Sequence, residues 1–266
     1  MKKLLVVFLC LVMLLSVVAC DKKKDKTTTP AATTTTPAPK TAAQLVSEAA
    51  AKLTPEKGVD LTMVITVTED DEPETMNMSL KIVKNADGTY NFATTMTEDT
   101  ETMTTYLVDG IIYMDMGEDM KVKMTATEDI LGDMNAADMS DNSFDQLVLN
   151  ALPATAPALA DGKYTITFSL TGDALLAALG DHPYFGDMMD PDMIEGITFS
   201  NYQGTIVIDA NGNLVSESAS FTVTNEDYPD EVMTYTSTIT YNNPGQQVTV
   251  TAPADADTYL DMDSMQ

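Results

Sequence analysis

The sequence predicts an α+β, mainly β fold, in which one large curved antiparallel sheet of about ten strands forms a half-barrel and helices cover its concave face. Two observations predict it. Between residues 59 and 251 the chain repeatedly alternates apolar with polar residues, which is the period of strands that have one buried face. Helical periodicity is confined to three short stretches, too few to form separate layers over so many strands.

The first predicted element is a helix over residues 41–53. Its small and aliphatic residues recur at helical spacing along one face, and they are Ala42, Leu45, Val46, Ala49, Ala50 and Leu53. Thr41 and Gln44 have the spacing of a capping box, which satisfies backbone donors in the first turn. We therefore expect a helix that begins near Thr41 and buries one face.

A first set of strands follows once the period changes to two at Val59. The predicted strands are 59–68, 76–82, 90–96, 103–108, 111–116 and 120–125. Asp87-Gly88 and Asp109-Gly110 predict tight hairpins, because Gly adopts positive φ without strain. The second face of these strands carries mainly Thr and charge, so we expect a Thr-rich outer surface.

A second set of strands follows an irregular helical region at about 127–160, where Ser143 is a candidate N-cap for an apolar run ending at Leu152. The predicted strands are 164–170, 197–208, 214–224, 232–241 and 247–251, with a short helix at 173–179 and a polar loop at 180–196. Asn211-Gly212 predicts a further hairpin. The order of elements is compatible with two related halves.

The N-terminal residues carry a targeting signal. Met1-Lys2-Lys3 precedes an apolar run from Leu4 to Val18, which is typical of a secretory signal and short for a membrane span. Val17-Val18-Ala19-Cys20 then resembles the lipobox of bacterial lipoproteins. The resemblance implies cleavage before Cys20 and a diacylglycerol on its sulfur, and so an extracytoplasmic protein anchored by lipid to the bacterial cell membrane.

The segment that follows has the composition of a tether. Residues 21–40 are rich in Thr, Pro and Lys and contain no large apolar residue, so they cannot build a core. The other cysteine, Cys10, falls within the signal, which leaves no disulfide in a processed chain. The predicted organisation is a signal peptide at 1–19, a lipid-anchored linker at 20–40 and one domain at 41–266.

The predicted architecture, the lipobox and the helix before the first strand together resemble the LolA/LolB-like half-barrel lipoproteins, including the LppX and LprG type. The resemblance spans residues 41–253. It implies a curved antiparallel sheet that wraps around helices and leaves an apolar cavity for a lipid or for lipid-anchored cargo.

Charge and motifs exclude several classes of function. The chain has 41 Asp+Glu against 14 Lys+Arg, a net charge of -27, and all of its basic residues are Lys. Such a chain cannot neutralise phosphates, so nucleic acid is excluded as a partner. The sequence lacks a nucleophile elbow, a zinc-protease motif and a phosphate-binding glycine loop, so we predict no enzyme, no catalytic residue and no cofactor.

Methionine is the compositional outlier, with 19 residues. Met76 with Met78 and Met114 with Met116 have the same-face spacing of a thioether Cu(I) site, and His182 lies close in sequence to three further methionines, Met188, Met189 and Met193. Alternatively, these flexible side chains line an adaptable apolar interior, and we favour this interpretation. His182 has no second His or Cys for zinc, and the segment 209–213 is typical of a hairpin rather than a calcium loop, so we predict no metal site.

The predicted function is therefore the binding of an apolar or amphipathic ligand, such as a lipid, on the inner face of the sheet. The residues predicted to line this cavity are Leu61, Met63, Ile65, Met78, Leu80, Phe92 and Phe168. Two alternatives remain open. One is a non-catalytic structural or interaction lipoprotein with a filled core, and the other is a Met-rich copper-binding envelope protein.

Overall fold

The computed structural model describes residues 40–69, 72–117, 120–127, 143–155, 157–180, 196–200, 202–225 and 228–265. The helices in these ranges are α1 (Ala42–Ala50), α2 (Ser143–Ala151) and α3 (Gly172–Gly180). The strands are β1 (Val59–Glu69), β2 (Glu72–Lys84), β3 (Tyr90–Glu98), β4 (Glu101–Val108), β5 (Ile111–Asp115), β6 (Lys121–Thr125), β7 (Lys163–Leu170), β8 (Ile197–Phe199), β9 (Tyr202–Asp209), β10 (Leu214–Asn225), β11 (Tyr228–Tyr241) and β12 (Leu260–Asp261). The predicted signal, lipobox and nearly all of the linker lie outside the described residues, as do His182 and the polar loop around it.

All twelve strands form one open, curved sheet in the order β12-β6-β5-β4-β3-β2-β1-β11-β10-β9-β7, with β8 paired to β10. Every pairing is antiparallel except β12 with β6. The predicted fold class, a mainly β protein with one large curved sheet, is confirmed. The sheet has twelve strands where the sequence predicts about ten, because β8 separates from β9 and β12 is too short to show a period.

Helix α1 begins as its sequence predicts. The N–H of Gln44 donates to Thr41 Oγ1 over 3.1 Å, and the N–H of Thr41 donates to Gln44 Oε1 over 2.9 Å, which completes the capping box. The helix ends at Ala50 rather than at the predicted Leu53. Pro55 disfavours helical backbone at the residue before it. The chain therefore forms turns after Ala50 instead of continuing the helix.

The predicted strand 197–208 is interrupted in the structure. Phe199 pairs with Val223, whereas pairing resumes only at Gln203 with Ser220. Between them, Ser200 Oγ accepts the N–H of Thr222 over 2.7 Å, so a side chain replaces one bond of the ladder. This local bond competes with regular strand geometry, and alternation alone does not reveal it.

The sheet has two different faces. We call the face that carries Leu61, Met63 and Ile65 the inner face. All three helices contribute to the apolar clusters on this face, over β7, β9, β10, β11 and β1, which together form the main core. The predicted placement of helices on one face of the sheet is therefore observed, and the helices cover the half of the sheet around β1 and β7–β11.

The C-terminal segment crosses the outer face instead of forming the predicted strand at 247–251. Val248 and Val250 are buried against Val83 and Val108, and the N–H of Val248 donates to the carbonyl of Lys57 over 2.8 Å. The segment then adds β12 beside β6. We call residues 247–265 the C-terminal strap. Its alternating valines have the period of a strand, but the neighbouring positions in the sheet are already occupied.

Candidate apolar ligand face

Four methionines form one row across the inner face. Met63 of β1 lies opposite Met78 of β2, Met78 lies opposite Met96 of β3, and Met96 lies opposite Met103 of β4. Directly opposed side chains have Cβ atoms about 5 Å apart, so these thioethers are successive neighbours. Met63 is fully buried, Met78 is 7% exposed and Met103 is 42% exposed. The row thus runs from the core to solvent.

The exposure changes along the row because the helices cover only part of the inner face. The cluster over β1 and β7–β11 includes residues of α1 and α2. The cluster built on Phe92, Leu107 and Ile112 draws all of its described members from β2–β6 and from Ala126, which follows β6. No helix within the described ranges contributes to it.

We use the name methionine face for eleven apolar residues on the inner side of β2–β6. They are Met78, Leu80, Ile82, Phe92, Met96, Met103, Leu107, Ile112, Met114, Val122 and Met124. Six of them are half-buried, and the surface continues at the sheet edge with Leu260, which is 54% exposed opposite Val122. Its β2 residues Met78, Leu80 and Ile82 adjoin the cluster that α1 joins, whereas the part on β3–β6 lacks a described apolar partner of that kind.

The seven residues predicted to line a cavity all lie on the inner face, but they are distributed over both of its halves. Leu61, Met63 and Ile65 are buried in the cluster that α1 joins, and Met78 belongs to the same cluster. Leu80 packs against that cluster as well, whereas Phe92 belongs to the cluster over β2–β6. Phe168 is half-buried at the other side of the sheet. That these residues line a ligand cavity stays a prediction.

Phe168 has a specific local role in the helix-covered half. It lies opposite Gly204 of β9, and a Cβ added to Gly204 would come within 2.3 Å of the Phe168 ring. The ring therefore lies over the glycine backbone, 6.0 Å from the ring of Tyr202 between centroids. This packing fills the space that a side chain at Gly204 would occupy.

Glu217 places a carboxylate among the buried residues of the helix-covered half of the inner face. Glu217 lies opposite Ile206 and Ile239, both buried, and Tyr241 Oη donates a hydrogen bond to Glu217 Oε1 over 2.8 Å. Sequence reasoning missed this residue, because a bulge in β10 between Leu214 and Ser216 changes which residues of that strand point inward.

A row of glutamates borders the methionine face at one end of the strands. Glu69 lies opposite Glu72 where β1 meets β2, and Glu98 lies opposite Glu101 where β3 meets β4. The register places all four on the inner side, because Glu98 lies opposite Met76 and Met76 lies opposite Ile65. We call these four residues the carboxylate rim. Sequence reasoning did not single them out, since it could not align the two hairpin ends.

The candidate metal positions have different surroundings. Met76 and Met78 share the inner face and are buried, whereas Met114 is half-buried and Met116 is 44% exposed. The segment after β9 forms the predicted hairpin, and the Lys52 ammonium contacts the Asn211 carbonyl and Asn213 Oδ1. Within the described ranges, no three His, Cys, Asp or Glu side chains are arranged to hold a metal ion.

No helix among the described residues combines the length and the apolar character needed to cross a membrane. No family model and no curated protein matches the chain. Similar solved structures include LprF from Mycobacterium bovis, which is 15% identical with a TM-score of 0.35 and is matched over 79% of this chain and 95% of that chain.

Two further similar structures are a LolA superfamily protein from Nitrosomonas europaea and a domain described as an outer membrane lipoprotein-sorting protein from Vibrio parahaemolyticus. Their identities are 10% and 9%, their TM-scores are 0.25 and 0.24, and each match covers 79% of this chain and 95% or 93% of the other. The resemblance to LolA-like structures that the sequence predicts is therefore found, and it is weak.

Proposed function

We propose that this protein is an envelope lipoprotein whose methionine face binds an apolar or amphipathic ligand such as a lipid. The observation that carries the proposal is the difference between the two halves of the inner face. One half is buried by α1–α3. The other is built on the buried side chains of Phe92, Leu107 and Ile112, to which no described helix contributes, and beside them Met96, Met114 and Met124 are half-buried and Met103 is exposed.

The chemistry of the methionine face suits a ligand with a flexible apolar chain. Contiguous apolar surface on a soluble domain marks a binding site more often than an ordinary exterior. Methionine is unbranched and polarizable, so Met96, Met103, Met114 and Met124 can adapt to the shape of an acyl or alkyl chain. Thr94 and Thr105 lie opposite one another within this surface and offer hydroxyl groups for a polar part of the ligand.

The test is native mass spectrometry of the chain without residues 1–20, combined with titration of a hydrophobic probe dye. We expect lipid to co-purify with the wild-type protein and dye to bind it. The variant Met96→Lys places a charge in the methionine face, and it should lose dye binding while it keeps its circular dichroism spectrum. Val64→Lys is the matched control, because Val64 is 37% exposed and lies on the outer face.

Absence of both lipid and dye binding from the wild-type protein would contradict the proposal. The structural module with a filled core would then be the better description, since α1, α2 and β1 already build such a core. Equal loss of dye binding in Met96→Lys and Val64→Lys would place the dye site elsewhere on the protein.

One observation favours copper as a second candidate function. The row Met63, Met78, Met96 and Met103 brings thioethers from four strands together, and thioether ligands select Cu(I). Titration of the same sample with Cu(I) under reducing conditions tests this candidate. Met96→Leu keeps the apolar volume and removes the sulfur, so it should abolish copper binding and leave dye binding unchanged. A wild-type protein that does not bind Cu(I) would eliminate this candidate.

A further inference from the structure

The carboxylate rim has an unusual arrangement of charge. Glu69 faces Glu72 and Glu98 faces Glu101, so that both pairs place like charges at directly opposed positions of an antiparallel ladder. Like charges at such positions destabilise a sheet. None of these four side chains forms an ion pair with another described residue. The two hairpin ends therefore hold negative charge without a described cation.

The rim and the methionine face form one continuous surface. Met96 precedes Glu98 by two residues on β3, and Met103 follows Glu101 by two residues on β4. Residues two apart on a strand point to the same side and are separated by about 7 Å. The apolar surface extends from Glu98 to Phe92, a distance of about 20 Å along β3 at the rise of an extended strand. Within β3 and β4 the inner-side carboxylates are Glu98 and Glu101, at one end of this surface, whereas Asp87 and Asp109 lie in the turns beyond its other end.

The lysines of β2 and β6 are placed away from the rim. Lys121 and Lys123 lie on the outer side of β6, where Lys121 contacts Asp115 and Asp255. Lys81 lies on the outer side of β2 beside Asp60. Lys84 is on the inner side, but it is the last residue of β2, at the end of the strand opposite to the rim. An anionic head group at the rim would therefore be repelled, and a cationic one attracted.

A divalent metal ion does not explain the rim. A calcium or magnesium ion requires several oxygen ligands converging within about 2.5 Å of one point. No group of three or more carboxylates among the described residues has such an arrangement. The carboxylates are instead divided between two hairpin ends. This separation suits an organic cation that lies over both pairs better than a metal ion bound between them.

We propose that the ligand of the methionine face is a cationic amphiphile. Its apolar chain lies along β3 and β4 against Met96, Met103 and Phe92, and its ammonium or guanidinium head lies at the carboxylate rim. The cation compensates the repulsion within Glu98–Glu101 and Glu69–Glu72. This inference rests on the proposed function, because it names the chemical class of ligand for the same face.

The experiment uses residues 20–266 as the Cys20→Ser variant, so that no acyl chain of the protein competes for the face. Three probes with the same dodecyl chain are titrated below their micelle concentrations: dodecyltrimethylammonium, dodecyl maltoside and dodecyl sulfate. Displacement of a hydrophobic dye gives each affinity, and circular dichroism verifies that the protein stays folded. We expect the cation to bind about tenfold more tightly than the neutral probe, since each exposed charge contributes little. The sulfate should bind most weakly.

The double variant Glu98→Gln/Glu101→Gln tests the position of the head group. It should reduce the preference for the cation over the neutral probe to less than about threefold, while the affinity of the neutral probe stays the same. Glu56→Gln/Asp257→Asn is the matched control, because it removes the same charge from two exposed residues away from the inner face. This control should retain the tenfold preference for the cation. In 1 M salt the preference should disappear in the control and in the Glu98→Gln/Glu101→Gln variant alike.

Each of the other possible outcomes would overturn a specific claim. Equal affinity for the cationic and neutral probes would overturn the cationic ligand and leave the proposed function intact. Equal loss of preference in the two double variants would show that the total negative charge, not the rim, selects the cation, and would overturn this assignment. Absence of binding by all three probes would overturn the proposed function itself, together with this inference.

Discussion

Gly204 shows how a single residue without a side chain shapes the helix-covered half of the inner face. The Phe168 ring occupies the space above it, within 2.3 Å of where a Cβ would be. Glycine weakens a strand interior, so its presence in β9 needs a compensating contact. Here the opposing aromatic ring supplies that contact and covers the exposed backbone.

Gly204→Ala should therefore destabilise the protein. The new methyl group must displace the Phe168 ring, and we expect a decrease of about 1–3 kcal/mol in the free energy of unfolding, the usual cost of overpacking. Urea denaturation measures it. Phe168→Leu provides room for the methyl group. The double variant should therefore lose less free energy of unfolding than the two single variants lose together. An unchanged midpoint for Gly204→Ala would show that the ring is free to move.

At the scale of elements, the C-terminal strap connects the outer face to the edge of the sheet. Lys121 of β6 contacts Asp255, and the rings of Tyr113 and Tyr259 meet edge to face with centroids 5.5 Å apart. The N–H of Thr125 donates to Asp263 Oδ2 over 2.8 Å. These contacts hold the strap along β5 and β6, and they cover part of an outer face that the sequence predicts to be exposed Thr.

The contact between Lys121 and Asp255 predicts a dependence on pH. The hydrogen bond from Lys121 holds the pKa of Asp255 below its ordinary value of 3.8. A carboxyl group whose pKa is lowered by folding stabilises the folded state above that ordinary value, and this contribution is lost as pH falls through the lowered pKa. Asp255→Asn should thus lower Tm slightly at neutral pH and have no effect near pH 2.

Thermal unfolding of both proteins between pH 2 and 7 measures this difference. The matched control is Asp257→Asn, which changes an exposed carboxyl group in the same 3-10 turn that does not pair with Lys121. Its Tm should follow that of the wild-type protein at every pH. If the Tm of Asp255→Asn still differed from that of the wild-type protein at pH 2, the charge of Asp255 would not be what stabilises the strap.

At the scale of the whole molecule, the two halves of the inner face should respond differently to the same substitution. Met63 is fully buried and Met103 is 42% exposed, although they belong to one row. A buried unpaired charge costs several kcal/mol, a large part of the stability of an ordinary domain. Met63→Lys should therefore fail to fold, while Met103→Lys keeps its Tm within a few degrees and binds the hydrophobic probe less tightly.

Circular dichroism and dye titration measure the two effects. Met63→Leu is the control for the buried position and should fold, because it conserves volume and polarity. If Met103→Lys unfolded as completely as Met63→Lys, the two halves of the inner face would be equally filled. The structural alternative would then replace the ligand-binding proposal.

The proposed location depends on Cys20. Cys20→Ser should release the protein from the membrane fraction or block its processing, because a thioether-linked diacylglycerol cannot form on serine. Fractionation of cells followed by immunoblotting measures both effects. Cys10→Ser is the matched control, since Cys10 falls within the predicted signal, and this variant should remain in the membrane fraction. A Cys20→Ser protein that stays in the membrane and is normally processed would contradict the proposed anchor.

The sequence alone determined much of the local structure. The alternation around Met63, the capping box at Thr41 and the turn at Asp109-Gly110 depend on residues a few positions apart, and the structure confirms each of them. Asp109 and Gly110 have φ of 52° and 77°, which is the conformation that this pair favours in a hairpin. The fold class followed, since many one-sided strands with few helices have few ways to bury their apolar faces.

Only the tertiary structure decided which positions are neighbours. The row from Met63 to Met103, the carboxylate rim and the strap over Val83 all join residues far apart in sequence, and each depends on strand register and sheet order. The length of the helices and their position over β7–β11 likewise decided which half of the inner face is buried. Alternation specifies that a strand has an apolar face, but what packs on that face is set by contacts that no short stretch of sequence contains.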